Sequence, residues 1–226
     1  MSGINSLKNP TIEGVLDRLH AAARGDRWKF AGLAPQLLLA FLTRKDINEV
    51  ITAERMKDFY IPVSREQGNF LYLVARALNA QRIVEFGTSF GISTIYLAAA
   101  VRDNGGEVVI GTELEPTKHK TATENLAAAN LSEVVDIRLG DATETLKDVP
   151  EPIDMVLLDG WKDLYLPVLK LLTPRLRKGA VVLADNIYTF KKSLRPYVEY
   201  VQSGDNGFQS ETLSISDGFE FSVFEG

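Results

Sequence analysis

Cysteine is absent from this chain, and histidine occurs only twice. Without cysteine the protein can form no disulfide bond, no thiolate metal site and no thiol nucleophile. The two histidines, His20 and His119, lie in segments with helical patterns. We expect both to be solvated surface residues, so the sequence argues against cysteine and histidine catalysis alike.

The chain also has little positive charge and no long apolar run. Its 25 lysines and arginines are outnumbered by 30 acidic residues, giving a net charge of -5 at pH 7. Nucleic-acid binding needs a basic surface that displaces counterions from phosphates, so we expect no nucleic-acid partner. The opening MSGINSLKNP lacks the features of a secretory signal, and no apolar stretch approaches the length of a membrane span. We therefore expect a soluble, cytoplasmic protein that makes no membrane contact and binds a small molecule.

The 226 residues are 45% hydrophobic, which is enough for a domain with a buried core. Asn9-Pro10 is typical of a helix start, and the apolar residues that follow recur on one helical face. Further helices are predicted over residues 35–42 and from Asp46 onward, and Ser64 and Gln67 form a capping-box pair that opens another. We predict a helical N-terminal segment over residues 1–60, serving as a cap, lid or dimer contact, followed by a Rossmann-like domain over residues 61–226.

From residue 82 onward, short β-branched runs alternate with helical segments. The runs are RIVEF, EVVIGT, VVDIR, IDMVLL and AVVLA. Unbroken apolar strands are buried on both faces, which indicates a parallel sheet covered by helices. At the end of the chain, FQSETLSI and FEFSVF flank the turn signal SDG and predict an antiparallel hairpin. The predicted fold is α/β: a doubly wound, mostly parallel, seven-stranded sheet with an antiparallel C-terminal hairpin.

A glycine-containing turn, EFGTSFGIST, follows the first predicted strand. Ligands of open α/β sheets bind beyond the carboxyl ends of the strands, and a helix that begins there offers free N–H groups to an anion. Glu113 ends the second strand, 26 residues after Gly87, a position suited to accepting hydrogen bonds from ribose hydroxyls. Asp141 follows the strand VVDIR, where a carboxylate could meet an adenine amino group.

The glycine spacing separates two nucleoside cofactors. A dinucleotide site uses G-x-G-x-x-G because a pyrophosphate lies against the turn. Here the spacing is G-x-x-x-G, with Glu85 just before it. S-adenosylmethionine, which has a carboxylate and one ribose, fits this turn better than a nicotinamide dinucleotide does. The alternative is an ordinary strand-to-helix turn with glycines that serve only packing.

Asp159 and Asp185 follow two apolar runs and lie 26 positions apart. Residues 165–179 predict a helical crossover that ends at Gly179, so the two strands are expected to be parallel. If they are adjacent, both carboxylates lie at one edge of the sheet and need a proton or a cation between them. With the amide oxygen of Asn186 they form a set of hard oxygen ligands that suits Mg²⁺ or Mn²⁺, and less well Ca²⁺.

Lys162 stands three residues after Asp159, so a helical turn would bring its amine over the same site. Near a cation in a partly dry pocket its pKa should be lowered, and it could accept a proton from a substrate hydroxyl. The alternative is an exposed Asp-Lys pair beside an unrelated polar turn.

The strings LLDGWKDLYLP and LRKGAVVLADN, with EFGTSFGIST upstream, resemble the metal-dependent catechol O-methyltransferase family over about residues 59–224. The resemblance implies a class I S-adenosylmethionine O-methyltransferase whose acceptor is a phenolic small molecule with two adjacent hydroxyls. It implies Mg²⁺ held by Asp159, Asp185 and Asn186, with Lys162 as the catalytic base. N-terminal helices of this kind also resemble dimer-forming segments, so we expect a homodimer.

The same resemblance implies the remaining site residues. The cofactor site would comprise Val63, Glu85, Gly87, Ser89, Ser93, Glu113, Leu114, Asp141, Ala142, Asp159 and Trp161. The acceptor site would comprise Phe59, Ile61, Lys162, Asn186 and Glu211, the last placed by counting back from Asp217-Gly218. Gly160 departs from the family, because mammalian members have an imidazole side chain at this position.

Two points stay open in the sequence. Lys191, Lys192 and Arg195 could attract an acidic acceptor or could form an ordinary solvated basic face. A protein that binds S-adenosylmethionine without catalysis, and a nicotinamide-dependent oxidoreductase on the same fold, are the alternative functions.

Overall fold

The computed structural model describes residues 5–31 and 63–226, with side chains from residue 5 to 24 and from 63 onward. Helix α1 (Pro10–Ala31) confirms the first predicted helix, and its apolar face is buried. The helices predicted over residues 35–42 and from Asp46, and the predicted acceptor residues Phe59 and Ile61, lie outside the described residues. The division of the chain at residue 60 stays a prediction.

A seven-stranded sheet forms the centre of the molecule, with the strand order β3-β2-β1-β4-β5-β7-β6. Strands β1 to β5 are parallel, and β7 runs antiparallel to both β5 and β6. This confirms the doubly wound sheet and the C-terminal hairpin. The strands are β1 (Arg82–Phe86), β2 (Val108–Glu113), β3 (Val135–Leu139), β4 (Ile153–Leu158), β5 (Leu176–Ala184), β6 (Phe208–Leu213) and β7 (Phe219–Phe224).

Helices cover both faces of the sheet, so the central strands are apolar on both sides. Successive residues of β4 alternate between the two cores: Met155 and Leu157 enter one, and Val156 and Leu158 enter the other. The first core is built with α1, α2 (Arg65–Ala77), α3 (Ile92–Asp103) and α4 (Pro116–Ala128). The second is built with α5 (Ala142–Thr145), α6 (Tyr165–Leu172) and α7 (Lys191–Gln202).

The crossover between β4 and β5 is shorter than predicted. Helix α6 ends at Leu172, and β5 begins at Leu176. Gly179 lies inside β5 with φ +77°, and the register with β4 shifts between Ile153 and Met155. The expected helix stop at Gly179 was therefore wrong: this glycine takes a left-handed backbone conformation at an irregularity in the strand.

The prediction of a solvated His20 was also wrong. Its side chain lies within the α1 packing face, the residue is 6% exposed, and its Nε2 lies 3.3 Å from the Tyr96 hydroxyl. His119 is half-buried, and its Nε2 lies 2.9 Å from the carbonyl oxygen of Ile137. A polar residue on a helix face is buried when a neighbouring helix covers that face, which the spacing of α1 alone does not show. Within residues 5–31 and 63–226, no helix has the length and apolarity needed to cross a bilayer.

Candidate active site

Two aspartates follow the paired ends of β4 and β5. Leu158 is in register with Ala184, so the next residue of each strand reaches the same sheet edge. The backbone N–H of Asp159 donates to Phe86 (2.8 Å), and that of Asp185 donates to Leu158 (3.0 Å). These bonds extend the parallel ladder by one step and fix both backbones. The prediction that the two aspartates lie close together requires that β4 and β5 are neighbours in the sheet. The register confirms that they are.

The amine of Lys162 lies within this acidic edge. Residues Lys162–Leu164 form a single 3₁₀ turn, which folds the side chain back toward the strand end. The Nζ atom donates to Asn186 Oδ1 and to the Tyr165 hydroxyl, both at 2.7 Å, and lies 3.6 Å from Asp159 Oδ1. The Lys162 side chain is only 9% exposed. The structure thus brings Asp159, Lys162, Asp185 and Asn186 together, as the sequence predicted.

The side chain of Asp185 is held by hydrogen bonds. The Nε2 atom of Gln67 lies 3.0 Å from each of its carboxylate oxygens, and the backbone N–H of Asn186 donates to Oδ1 at 2.7 Å. Asn186 has φ +68°, a left-handed conformation that asparagine tolerates better than most residues. This turn of the backbone directs the Asn186 side chain toward Lys162.

The cluster contains more negative than positive charge. Burial raises the pKa of Asp159 to about 8 and that of Asp185 to about 6, and it lowers the pKa of Lys162. Two largely buried carboxylates facing one amine are unfavourable unless a proton or a further cation is added. The residues present therefore fit a divalent cation in charge and in donor type, since carboxylate and amide oxygens are hard ligands.

No set of three or more His, Cys, Asp and Glu side chains suited to a metal ion occurs in the described ranges. A metal at this edge would accordingly use the amide oxygen of Asn186 as its third protein ligand.

The glycine turn lies directly against the acidic edge. Gly87 has φ +100°, and a Cβ added there would lie 2.6 Å from the carbonyl oxygen of Asp159. Only glycine meets both conditions without displacing the backbone. The turn predicted to hold a cofactor and the strand end that bears Asp159 are therefore in main-chain contact.

Glu85 lies two residues before Gly87 and is fully buried. Its Oε2 accepts hydrogen bonds from the hydroxyls of Thr88 (3.0 Å) and Thr94 (2.5 Å), while no hydrogen-bond partner for Oε1 occurs in the described part of the chain. Burial raises the pKa of Glu85, and the hydroxyls of Ser93, Thr94 and Thr88 oppose that shift. A buried carboxylate oxygen with spare capacity fits a ligand that brings an N–H donor, as the amino-acid part of S-adenosylmethionine does.

Two further predicted cofactor carboxylates end neighbouring strands. Glu113 Oε2 accepts from the backbone N–H of Ser89 at 2.8 Å, and Oε1 accepts from that of Glu115 at 2.9 Å. Asp141 caps α5, and its hydrogen bonds from Thr143 lower its pKa. Both acids are thus held near the carboxyl ends of β2 and β3, and Glu113 contacts the glycine turn directly.

The other predicted cofactor residues differ in exposure. Val63 and Ala142 are buried, Trp161 is half-buried, and Leu114 is 53% exposed. At Gly160 an added Cβ would lie 2.5 Å from the ring of Phe86. The Phe86 ring therefore fills the space next to Gly160. Mammalian members of the family that this sequence resembles have an imidazole side chain at the position of Gly160.

Glu211 does not join the cluster. It is exposed on edge strand β6, opposite Phe221, and one strand, β7, separates β6 from β5. The acid that the hairpin brings to the site is Asp217, which accepts hydrogen bonds from Thr189 Oγ1 (2.9 Å) and Asn186 Nδ2 (3.4 Å). The SDG turn signal is the sequence clue to this residue, because it predicts a turn at Asp217 but gives no indication of a contact with Asn186.

Two more residues of the site were not predicted. Gln67 was recognised only as a helix cap, yet it contacts Asp185, 118 positions away. Tyr165 was treated as the start of a helix, yet its hydroxyl accepts from Lys162 and lies 3.3 Å from the carbonyl oxygen of Asp185. Neither contact has a signature in local spacing.

Comparison with known proteins identifies similar sequences. A family model described as a methyltransferase domain matches residues 84–187. Catechol O-methyltransferase B of Danio rerio is 32% identical over 236 residues, covering 95% of this chain and 84% of that protein. Catechol O-methyltransferase of Mycobacterium tuberculosis is 35% identical over 128 residues, covering 56% of this chain and 57% of the relative.

Solved structures agree in fold. The O-methyltransferase TomG from Streptomyces achromogenes, determined in complex with S-adenosylmethionine, has a TM-score of 0.69 at 28% identity over 77% of this chain and 86% of its own. An O-methyltransferase from Bacillus cereus has a TM-score of 0.71 at 23% identity over 96% of this chain and 92% of its own, which bears on the fold alone. The sheet, the glycine turn and the acidic edge thus occur in a chain that is similar in sequence to O-methyltransferases.

Proposed function

Because this chain belongs to the catechol O-methyltransferase family, we propose that it transfers a methyl group from S-adenosylmethionine to one hydroxyl of a vicinal diphenol. The observation that carries the proposal is the cluster of Asp159, Lys162, Asp185 and Asn186 in contact with the glycine turn. One surface can then receive the methyl donor while the adjoining one receives the acceptor oxygen.

Lys162 would act as the base. Its amine is nearly buried among oxygen atoms, and the lowered pKa leaves it more readily neutral than an exposed lysine. A neutral amine takes the proton of the acceptor hydroxyl as the new carbon–oxygen bond forms and the carbon–sulfur bond breaks. The products are a monomethylated diphenol, S-adenosylhomocysteine and a proton held on Lys162, which is then released to solvent.

Asp159, Asp185 and Asn186 would hold Mg²⁺, with Mn²⁺ or Ca²⁺ as substitutes. A divalent ion at this edge would supply Lewis-acid polarisation and a fixed orientation for two adjacent hydroxyls. The chain's own contribution is the preset geometry: Asp185 is held by Gln67, and Asn186 is held by its backbone turn and by Lys162. A preset ligand shell lowers the cost of ordering when metal and acceptor bind.

The cofactor residues would position the donor next to this edge. Glu85 and the α3 start at Gly91 and Ser93 lie where the amino-acid part is expected, and Glu113 lies where ribose hydroxyls are expected. Asp141, Ala142, Leu114 and Trp161 would surround the adenine. These assignments follow from the family pattern and from the common sheet edge that these residues share.

Methyl transfer to a panel of phenols tests the proposal. Purified protein would be incubated with labelled S-adenosylmethionine and catechol, a caffeoyl-type phenol or a flavonoid, with phenol itself as the single-hydroxyl control. We expect labelled product from the vicinal diphenols only, its loss in EDTA, and its recovery on addition of Mg²⁺. Undiminished turnover in EDTA would remove the metal role, and transfer to none of the diphenols would remove the acceptor class.

Membership of this family argues against the nicotinamide-dependent oxidoreductase that the sequence left open. The same assay separates an enzyme from a protein that only binds S-adenosylmethionine, because such a protein would give a binding signal with no labelled product. The predicted homodimer is tested separately, by the molar mass of the protein in light scattering.

A further inference from the structure

Gln67 makes a contact that its place in the sequence does not suggest. It is the third residue of α2, it is 3% exposed, and its Nε2 lies 3.0 Å from both oxygens of the Asp185 carboxylate. An amide nitrogen placed equally between two carboxylate oxygens fixes the plane of the carboxylate as well as its position. Asp185 is therefore restrained by a side chain from another element of the fold.

The other end of the Gln67 amide is fixed as well. Its Oε1 accepts a hydrogen bond from the backbone N–H of Ser64 at 2.8 Å, while the Ser64 hydroxyl accepts from the backbone N–H of Gln67 at 3.1 Å. This reciprocal pair is a capping box that closes the first turn of α2. Because Oε1 is used by the cap, the amide cannot flip without losing hydrogen bonds at both ends. The cap thus determines which face of Gln67 meets Asp185.

We propose that Gln67 is a positioning residue that uses the α2 capping box to keep the Asp185 carboxylate oriented as a ligand for the divalent cation. This inference rests on the proposed function and deepens it, because it names a residue outside the ligand set that sets metal affinity. Partners that orient a ligand carboxylate typically change metal affinity by about 10- to 100-fold when they are removed.

The charges around Asp185 explain why its carboxylate needs to be restrained. Lys162 is a cationic group whose charge acts on Asp185, and it already bonds Asn186 Oδ1 at 2.7 Å while lying 3.6 Å from Asp159. Whenever Lys162 is protonated, a carboxylate free to rotate would turn toward it, because opposite charges attract strongly where water is excluded. Gln67 opposes this rotation by holding both oxygens of Asp185. It keeps the ligand and the base from forming a closed ion pair.

The capping box supplies a matched pair of variants. Gln67→Ala removes one half of the cap together with the contact to Asp185, whereas Ser64→Ala removes the other half of the cap and leaves that contact in place. Both should lower the melting temperature, Gln67→Ala at least as much as Ser64→Ala. Only Gln67→Ala should weaken Mg²⁺ binding, by about tenfold or more, when calorimetry is performed without acceptor.

A third variant keeps the test independent of helix stability. Gln67→Met fills nearly the same volume and has no N–H to donate, so it should also weaken Mg²⁺ binding by about tenfold. Unchanged Mg²⁺ affinity in folded Gln67→Ala or Gln67→Met, or an equal loss in Ser64→Ala, would overturn this inference alone. A wild-type protein that binds no Mg²⁺ would overturn both the inference and the metal role in the proposed function.

Discussion

The two ends of strands β4 and β5 each pair an aspartate with a basic side chain, but the electrostatics differ. At the amino ends, Asp154 accepts from Arg177 Nε (2.5 Å) and from the backbone N–H groups of Gln81 (2.7 Å) and Arg82 (2.9 Å). Burial alone would raise the pKa of Asp154, but these donors outweigh it, and the pKa is lowered. At the carboxyl ends, Asp159 faces the Lys162 amine at 3.6 Å, and burial raises its pKa to about 8.

The difference distinguishes a carboxylate that stabilises the fold from one that, in the proposed function, binds a metal ion. Asp154 has three donors, so its charge stabilises the fold as it stands. Asp159 and Asp185 share one amine, so their charges are unfavourable until a cation joins them. In the sequence, Lys162 stands three residues after Asp159, whereas Arg177 stands 23 residues after Asp154. The charge balance around each carboxylate, which only the fold shows, separates the two ends: Asp154 bonds the Arg177 guanidinium, whereas Asp159 and Asp185 share the Lys162 amine.

Removal of the amine at the carboxyl ends should have the largest effect. Lys162→Ala should lower kcat by about 10³-fold, or about 4 kcal/mol of transition-state stabilisation, because general bases typically contribute 10²- to 10⁴-fold. S-adenosylmethionine binding should be retained in calorimetry. Lys147→Ala is the matched control, since Lys147 also pairs with an acid three residues away, Glu144, but is 56% exposed. Comparable losses of kcat in both variants would contradict the role of Lys162.

The second-largest effect is expected when one carboxylate at the carboxyl ends of β4 and β5 is neutralised. Asp159→Asn should weaken Mg²⁺ binding by about 100-fold, close to 2.7 kcal/mol, because it removes a charged ligand. Its melting temperature without metal should not fall, since the native carboxylate is poorly compensated there. Calorimetric titration with Mg²⁺ and a thermal melt of the same sample measure both quantities. If Asp159→Asn had a lower melting temperature than the wild type yet bound Mg²⁺ normally, Asp159 would be a structural carboxylate like Asp154.

The equivalent change at the amino ends should affect stability instead. Asp154→Asn should lower the free energy of unfolding by about 2 kcal/mol, because it removes a nearly buried charge that Arg177 and two backbone N–H groups bond. For a chain of this size that corresponds to a melting temperature lower by about 4–8 °C. Mg²⁺ affinity should match the wild type within error.

The pH dependence of Asp154 gives a second measurement of the same pair. A folded-state pKa below the ordinary value of 3.8 means that its stabilisation is present above that value and is lost as the pH falls through the folded pKa. The stability gap between wild type and Asp154→Asn should therefore narrow as urea denaturation is repeated from pH 6 down to about pH 3. A gap that stays constant over that range would mean that the charge of Asp154 adds nothing.

Tyr165→Phe should give the smallest change. It removes one of the acceptors that hold the Lys162 amine but leaves the packing of the ring against Phe86 and Tyr197. We expect kcat to fall by about tenfold, near 1.4 kcal/mol, with KM for the acceptor unchanged, because the base would be less well oriented. A rise in KM with unchanged kcat would assign Tyr165 to acceptor binding instead.

The sequence predicted most of the fold because the central strands, such as β4 and the second half of β5, are largely apolar runs, and the strands are separated by helical segments or turn signals. It also placed Asp159 and Asp185 at one edge, since residues that follow adjacent parallel strands must share an end of the sheet. The predicted extent of the β4–β5 crossover was wrong, because a glycine such as Gly179 is as typical of a strand irregularity as of a helix end. Periodicity does not separate these two uses of glycine.

The parts of the site that the sequence missed come from distant elements. Gln67 reaches Asp185 across the packing of α2 on the sheet, and Asp217 reaches Asn186 from the hairpin. Glu211 lies exposed on β6, opposite Phe221, and its role at the acceptor stays a prediction. Such contacts depend on how the helices and strands are arranged in three dimensions, so residue spacing in the sequence does not predict them.

The close approach of Gly87 to the Asp159 carbonyl has a consequence for the evolution of acceptor preference. Because main chain rests on main chain there, the separation between the donor turn and the acceptor edge is independent of the side chains that border either pocket. Acceptor-facing residues can then be exchanged to admit bulkier or differently substituted rings while the alignment of the two reactants is preserved. Directed evolution of new acceptors should accordingly tolerate variation around the rim and reject every substitution at Gly87.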